Sequence, residues 1–358
     1  MKTLAQKPSV AAWRSDFESE AVVAAESRKT DSRARSWPVL ANTILVALTR
    51  IRPKDFSYRL KNFLARPQFR GKRFRVFILR LWWELRRKIL KNPPSARLNE
   101  GTRIWLLPDP GCFGLYATGF SEREISEFIH SYLKPGMTFV DVGSYVGEHC
   151  VRASRIVGDR GRVYAFEPIP ATFEVLMRNI YSNRLRNVLC ERIALSDRCG
   201  EAAYEHRLYP DGSGLARVAE NHEINKINPV LWTRTVNTMS LDEYARKKDL
   251  LAIDLLKLDV EGAELKVLRG SRGILSSFGP ALVFEFDTRL MATYDFRPTD
   301  VLSFLSALGY RLFLLRTEAP GLVFTPFQLP RGLDMRANLI ALKDNDARLK
   351  NFLPEPSR

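Results

Sequence analysis

Acids stand at the ends of apolar runs in this chain: Asp141, Glu167, Asp197, Asp259, Glu261 and Glu285. A carboxylate at a strand tip can accept hydrogen bonds from hydroxyls, hold a cation, or take a proton from an alcohol. Between the first two lies Gly143-Ser-Tyr-Val-Gly147, a turn whose glycines let the backbone pass close to a ligand. The order of apolar run, acid, glycine turn, helical pattern, apolar run and acid reads as strand, tight loop, helix, strand. That is the first half of a Rossmann-like nucleotide site.

The loop is selective about its ligand. A dinucleotide fingerprint needs G-x-G-x-x-G, so that a pyrophosphate can approach the backbone and the helix N-terminus. Here Gly143 and Gly147 are present and Tyr145 fills the middle position. Glu148 falls in the first helical turn, where it and Asp141 repel phosphate. S-adenosylmethionine carries no phosphate; it brings an ammonium, a sulfonium and a ribose, which suit nearby acids. An ordinary strand-to-helix turn explains the loop alone. Glu167, placed to take both ribose hydroxyls, favours the nucleoside.

Further segments resemble one family. They are Asn187-Val-Leu-Cys-Glu-Arg-Ile-Ala-Leu-Ser-Asp197, Met239-Ser-Leu-Asp-Glu-Tyr244 and Leu256-Lys-Leu-Asp-Val-Glu-Gly-Ala-Glu-Leu-Lys-Val-Leu-Arg-Gly270. With the glycine loop and Phe166-Glu-Pro168, the chain from Gly101 to Lys343 resembles the FkbM-type, S-adenosylmethionine-dependent methyltransferases. The resemblance implies an α/β class I methyltransferase fold: a Rossmann-like, seven-stranded, mostly parallel sheet with helices on both faces and its last strand antiparallel. It implies O-methylation of a hydroxyl on a carbohydrate, glycolipid or other natural product. By the same resemblance, Gly143, Ser144, Tyr145 and Gly147 cradle the methionine part of the cofactor. Asp141 helps hold its ammonium, Glu167 its ribose, and the turn from Ala194 to Asp197 edges the adenine. Tyr145 replaces the asparagine usual in that loop.

Methyl transfer to an alcohol needs alignment and a group that relieves the hydroxyl of its proton. Asp259, ending the fourth core strand, is the expected base or hydroxyl orienter. Lys257 lies two residues back on the same strand face and is expected to tune Asp259 or bind an acceptor oxygen. Glu285 and Glu261 are candidates for binding acceptor hydroxyls. Asp259, Glu261 and Glu285 could instead hold a divalent cation, since hard cations take oxygen ligands. Glu264 reads as an acid favoured by a helix N-terminus. His206 and Ser213 flank a loop read as facing the acceptor, and His206 or His222 is the substitute base if Asp259 is not. His130 and His149 read as structural.

These residues must be positioned by alternating strands and helices, the mark of a parallel sheet. The strands are expected at 138–142, 162–167, 188–194, 255–259, 281–286, 310–315 and 337–342. Helices are expected at 148–157, 171–183, 263–269 and 299–308. Residues 104–107 and 113–116 read as short strands ahead of the core. Residues 121–133 read as a helix capped by Ser121. Residues 200–238 break the alternation and read as an insertion over the ligand side of the sheet.

The chain has 358 residues and a net charge of +16. Residues 1–100 hold 23 Lys and Arg against 8 Asp and Glu, so nearly all of the excess lies ahead of the core. The expected layout is a tail at 1–36, a basic amphipathic helical extension at 37–95, the methyltransferase domain at 96–345 and a tail at 346–358. Residues 59–91 interleave arginines and lysines with Trp82, Trp83 and other apolar residues. That stretch suits packing on the domain or an anionic membrane surface. It carries no recognised nucleic-acid motif. The four cysteines form no C-x-x-C pair, which speaks against zinc or a disulfide framework. No secretory leader or membrane span is read, so the expected location is cytoplasmic, peripheral to the inner membrane face if the extension binds lipid. A nucleic-acid-modifying methyltransferase and a non-catalytic adaptor keeping the fold are the alternatives.

Overall fold

The structure is a computed structural model. It describes residues 73–86, 94–109, 111–208, 214–218, 230–318, 321–330, 334–344 and 346. Ahead of the core come helix α1 (Arg73–Leu85), strands β1 (Ser95–Arg97) and β2 (Arg103–Trp105), and helices α2 (Phe113–Thr118) and α3 (Arg123–Tyr132). The first half of the core is β3 (Thr138–Val142), α4 (Glu148–Val157), β4 (Arg162–Phe166), α5 (Pro170–Ser182) and β5 (Val188–Glu191). Strands β6 (Ala194–Leu195), β7 (Gly200–Leu208), β8 (Gly214–Val218) and β9 (Val230–Met239) follow, then helix α6 (Leu241–Lys248). The second half is β10 (Leu255–Leu258), α7 (Glu264–Arg269), α8 (Arg272–Ser277), β11 (Ala281–Asp287), α9 (Thr288–Met291), α10 (Pro298–Ala307), β12 (Tyr310–Glu318), β13 (Gly321–Pro326) and β14 (Arg336–Lys343).

The main sheet runs β13-β12-β14-β11-β10-β3-β4-β5. Strands β5, β4, β3, β10 and β11 pair in parallel, and β14 inserts antiparallel between β11 and β12. This is the class I methyltransferase arrangement, with its reversed last strand. Every residue of β10 and of β11 is buried. Strands covered by helices on both faces must be apolar throughout, so polar side chains there carry information. Strand order reverses between β3 and β10, and their carboxyl ends form the crevice where open α/β sheets take ligands. A second sheet, β6-β9-β7-β8, is built from the insertion.

Several expectations are corrected. Phe113–Thr118 is a helix, not a strand; it buries Phe113 and Leu115 and ends at Gly119, whose φ is 79°. Short apolar runs have no period long enough to separate the two forms. Ser121 does not cap α3, because its hydroxyl donates to the Glu148 carboxylate; the helix begins after Glu122. The third core strand stops at Glu191, and Ala194-Leu195 pairs with β9 in the other sheet. Strand β13, unforeseen, pairs with β12 and makes the main sheet eight-stranded rather than seven. Residues 1–72, 347–358, Ser213 and His222 lie outside the described residues.

Helix α1 packs on the catalytic unit. Trp83 is buried, its ring 4.9 Å from Tyr116 and 6.0 Å from Phe113. The Arg80 guanidinium lies over Phe113, 4.9 Å from its centroid. Residues 67–358 form one compact unit, so the expected boundary at residue 95 divides segments that share a core. Trp83→Ala should lower the unfolding free energy of the full chain by roughly 3–5 kcal/mol, read from the denaturant midpoint at constant slope. A shift near zero would detach this helix from the fold.

Candidate active site

The glycine loop is held from two sides. The backbone N–H groups of Gly143 and Ser144 both donate to the Phe166 carbonyl at 3.0 Å, tying the loop to the end of β4. Gly143 has a φ of +78°, and a Cβ there would overlap the Asp259 carbonyl oxygen. No other residue lets the loop lie this close to the end of β10. Tyr145 sits at a φ of 50°, a left-handed conformation that costs a non-glycine residue about 1–2 kcal/mol. Two bonds offset that strain. Its N–H donates to Glu167 Oε2 at 3.0 Å, and its hydroxyl donates to the Asp109 carboxylate. The Cys112 thiol donates to the same hydroxyl at 3.2 Å. The tyrosine thus straps the loop to the start of α2.

Glu167 is 6% exposed at the tip of β4. Its Oε1 accepts from the Ile169 N–H at 2.9 Å. A carboxylate has about four acceptor sites, so each oxygen retains one for a ligand. Burial pushes its pKa up to about 8, against the pull of the two N–H donors.

The centre of the site is an ion cluster across neighbouring strands. Lys257 of β10 stands in register with Asp141 of β3. Its ammonium lies 3.1 Å from Asp141 Oδ1 and 3.4 Å from Asp259 Oδ2. Asp141 is fully buried, with Oδ2 accepting from the Cys150 thiol at 3.1 Å, whereas the Asp259 side chain is 32% exposed. Lys257 therefore joins one sealed carboxylate to one open one. Burial pulls its pKa down, but the carboxylates of Asp141, Asp259 and Glu122 outweigh that and hold it above the ordinary lysine value. Asp141, expected to help hold an ammonium, is turned inward onto Lys257.

More acids surround Asp259. Glu285 is buried and ion-paired with Arg336; burial and Asp259 push its pKa to about 7. Glu261 has a φ of 56°, in a loop whose Val260 and Gly262 N–H groups donate to Glu264 at 3.3 Å each. Glu264 thus shapes the loop that carries Glu261. Burial and the charges of Glu285 and Asp259 raise Glu261 well above the carboxylate range. Glu122, missed in the sequence, precedes α3 and accepts from Asn338 of β14 at 3.3 Å. Burial and the charge of Asp259 bring it to about 8. Its only sequence signal is that it is an acid at a helix start, which has many mundane causes. Among the described residues, no three or more His, Cys, Asp and Glu side chains are grouped to hold a metal ion, and Glu285 is committed to Arg336.

The insertion does lie over this edge. Tyr204 of β7 packs with Ile169 and Ala194, and the charges of Glu167, Glu261 and Asp259 act on its phenol. Burial and those charges push its pKa well up. The sequence reading did not single it out; an alternating strand gives no sign of which face meets a ligand. His206 is on β7, opposite Ala216 and Trp232. Ala194 is buried, and Asp197 is half-buried, accepting from Ser196 Oγ at 3.2 Å and 3.4 Å from the Arg198 guanidinium. His149 is buried; burial, then the charges of Lys257 and Arg152, push its pKa well down.

With this geometry in place, relatives can be compared. The family profile of the methyltransferase FkbM domain matches residues 141–312. This chain carries an FkbM methyltransferase domain. The match begins at Asp141 and includes the glycine loop, Glu167, Lys257, Asp259 and Glu285. The chain is similar to hexuronic acid methyltransferase AglP of Haloferax volcanii, 32% identical over 40% of this chain and 53% of that protein. It is 26% identical to 2-O-methyltransferase NoeI of Sinorhizobium fredii, over 51% of this chain and 82% of that one. A solved FkbM methyltransferase from Methylobacillus flagellatus has a TM-score of 0.34 at 16% identity, covering 65% of this chain and 52% of its own. That overlap is loose, and the fold rests on the strand order above.

The raised acids fix a pH dependence. Glu122, Glu167 and Glu264 at about 8, and Glu285 at about 7, bind protons more tightly in the folded chain than at their ordinary value of 4.5. Where the folded state holds more protons than the unfolded one, stability falls as pH rises. Their contribution is therefore lost between about pH 4.5 and 8. The melting temperature should fall over that window, and Glu167→Gln should flatten the slope. A profile that Glu167→Gln leaves unchanged would contradict the burial of this carboxyl.

Proposed function

We propose that this FkbM methyltransferase uses S-adenosylmethionine to O-methylate a hydroxyl of a carbohydrate, glycolipid or similar natural product. The observation that carries the reading is the buried Lys257 holding Asp259 at the open end of β10, across the crevice from Glu167. The donor set suits this cofactor. Glu167 has acceptor capacity left for two ribose hydroxyls, the loop offers Gly143 and Gly147 at positive φ, and carboxylates rather than phosphate-binding groups surround it. Tyr145, Ser144, Ala194 and Asp197 complete the expected lining.

When bound, the cofactor supplies an electrophilic methyl group on a sulfonium. The rest falls to the protein. Asp259 accepts the acceptor hydroxyl's hydrogen bond and takes its proton as the oxygen attacks. Lys257, through its contact with one Asp259 oxygen, fixes the direction of the other. Glu122, Glu261 and Glu285 offer further sites for acceptor hydroxyls, and Arg336 orients Glu285. Tyr204, packed with Ile169 and Ala194, brings an aromatic ring to this edge of the sheet. The names of the relatives, one a hexuronic acid methyltransferase and one a 2-O-methyltransferase, support a sugar hydroxyl as acceptor.

The two halves of this reading separate cleanly. Above about pH 8, where Glu167 is ionised, Glu167→Gln should weaken S-adenosylmethionine binding by roughly 10- to 100-fold in calorimetry, the size of a lost charge-assisted hydrogen bond. Asp259→Asn should keep that affinity within about twofold and lower radiolabelled methyl transfer to a panel of methyl glycosides and glycolipids by about 100-fold or more. Equal affinities for wild type and Glu167→Gln would remove the ribose assignment. Near-normal turnover by Asp259→Asn would remove the base.

A further inference from the structure

Helix α1 has two apolar faces. One holds Val76 and Trp83, buried against the catalytic unit. The other carries Phe74, Ile78, Leu81 and Trp82, which are 79%, 47%, 37% and 45% exposed. Their spacing of i, i+4, i+7 and i+8 puts them on a single stripe. The other large exposed apolar side chains among the described residues, Tyr181, Leu189, Leu251 and Phe278, fall one to a segment. Scattered exposure of that kind is ordinary, but a continuous stripe is not.

Charge indicates what meets the stripe. From Phe69 to Lys91 the sequence has nine Lys and Arg against the single acid Glu84. Arg75 is exposed beside the stripe, and the Arg86 guanidinium lies 5.8 Å from the Trp82 ring. Like charge opposes pairing with a second copy. A nucleic acid would engage the charges but leave the apolar stripe in water. An anionic bilayer satisfies both: apolar side chains enter the headgroup boundary, tryptophan suits that depth, and each basic residue near the surface adds attraction. No helix among the described residues is long and apolar enough to cross a membrane, so α1 would lie in the surface plane.

We propose that α1 docks this protein onto an anionic lipid surface through Phe74, Ile78, Leu81 and Trp82, with the flanking arginines and lysines meeting the lipid charge. The docking face is opposite the one that grips α2, whose N-cap residue Cys112 touches Tyr145 of the glycine loop. The helix is thus a rigid spacer between surface and crevice. The inference stands on the helix alone and does not depend on the nature of the methyl acceptor.

The test is cosedimentation of the full chain with phosphatidylcholine vesicles, with and without phosphatidylglycerol. The wild type should partition onto vesicles containing phosphatidylglycerol, and salt should weaken it. Phe74→Glu and Trp82→Glu should each lower partitioning about tenfold or more, with unchanged melting temperature. Binding that both substitutions leave intact would reduce the effect to charge and overturn the proposal. So would binding to a DNA oligonucleotide that displaces the vesicles while the substitutions are silent. A chain that ignores vesicles and melts earlier as Trp82→Glu would show that its own residues 1–66 cover the stripe. A dimer split by Ile78→Glu would assign the face to a second copy.

Discussion

The site is organised around one buried cation. Lys257 stands in a strand that is otherwise all leucine, sealed on both faces, and no ammonium remains there uncompensated. Asp141 supplies the compensation from the adjacent strand at the same register. The same ammonium reaches Asp259 Oδ2 at 3.4 Å and so orients the carboxylate at the open end of β10. Replacing the buried pair by apolar residues would leave the sheet equally stable by ordinary expectation. What would be lost is the contact that orients the Asp259 carboxylate.

The same logic explains why the loop can hold a strained residue. Tyr145 is kept at positive φ by three bonds to two segments: its N–H to Glu167 at the end of β4, and its hydroxyl to Asp109 and from the Cys112 thiol at the start of α2. Strain that is over-determined in this way amounts to preorganisation. The loop need not order itself when a ligand arrives, so less binding energy is spent on closing it. Glu167 does double duty: Oε2 braces the loop through the Tyr145 N–H, Oε1 accepts from Ile169, and each oxygen keeps acceptor capacity.

Much of this was legible in the sequence, for a physical reason. Strands β3, β4, β10 and β11 are short apolar runs bounded by acids and turns, and helices such as Glu148–Val157 show a full apolar period, so type and place were both recoverable. The acids Asp259, Glu261 and Glu285 could be grouped because a parallel sheet brings strand ends to one edge. What could not be read was anything fixed by register between distant segments. Lys257 faces Asp141 only because β10 pairs with β3 without offset. Glu122 reaches Asn338, over two hundred residues away in sequence, and nothing local marks either one. The helix Phe113–Thr118 was misread because six residues hold less than two turns of pattern. Strand β13 escaped because its half-exposed side chains give no clean alternation.

The charge of the crevice is set by which of its acids ionise. The crevice gathers Asp259, Glu122, Glu261 and Glu285 around Lys257 and Arg336, and because burial raises Glu122 to about 8, Glu285 to about 7 and Glu261 well above the carboxylate range, several of these acids hold their protons near neutral pH while both bases stay charged. A protonated carboxyl donates one hydrogen bond and accepts others, so burial gives this edge of the sheet both kinds of partner for a hydroxyl instead of a wall of negative charge.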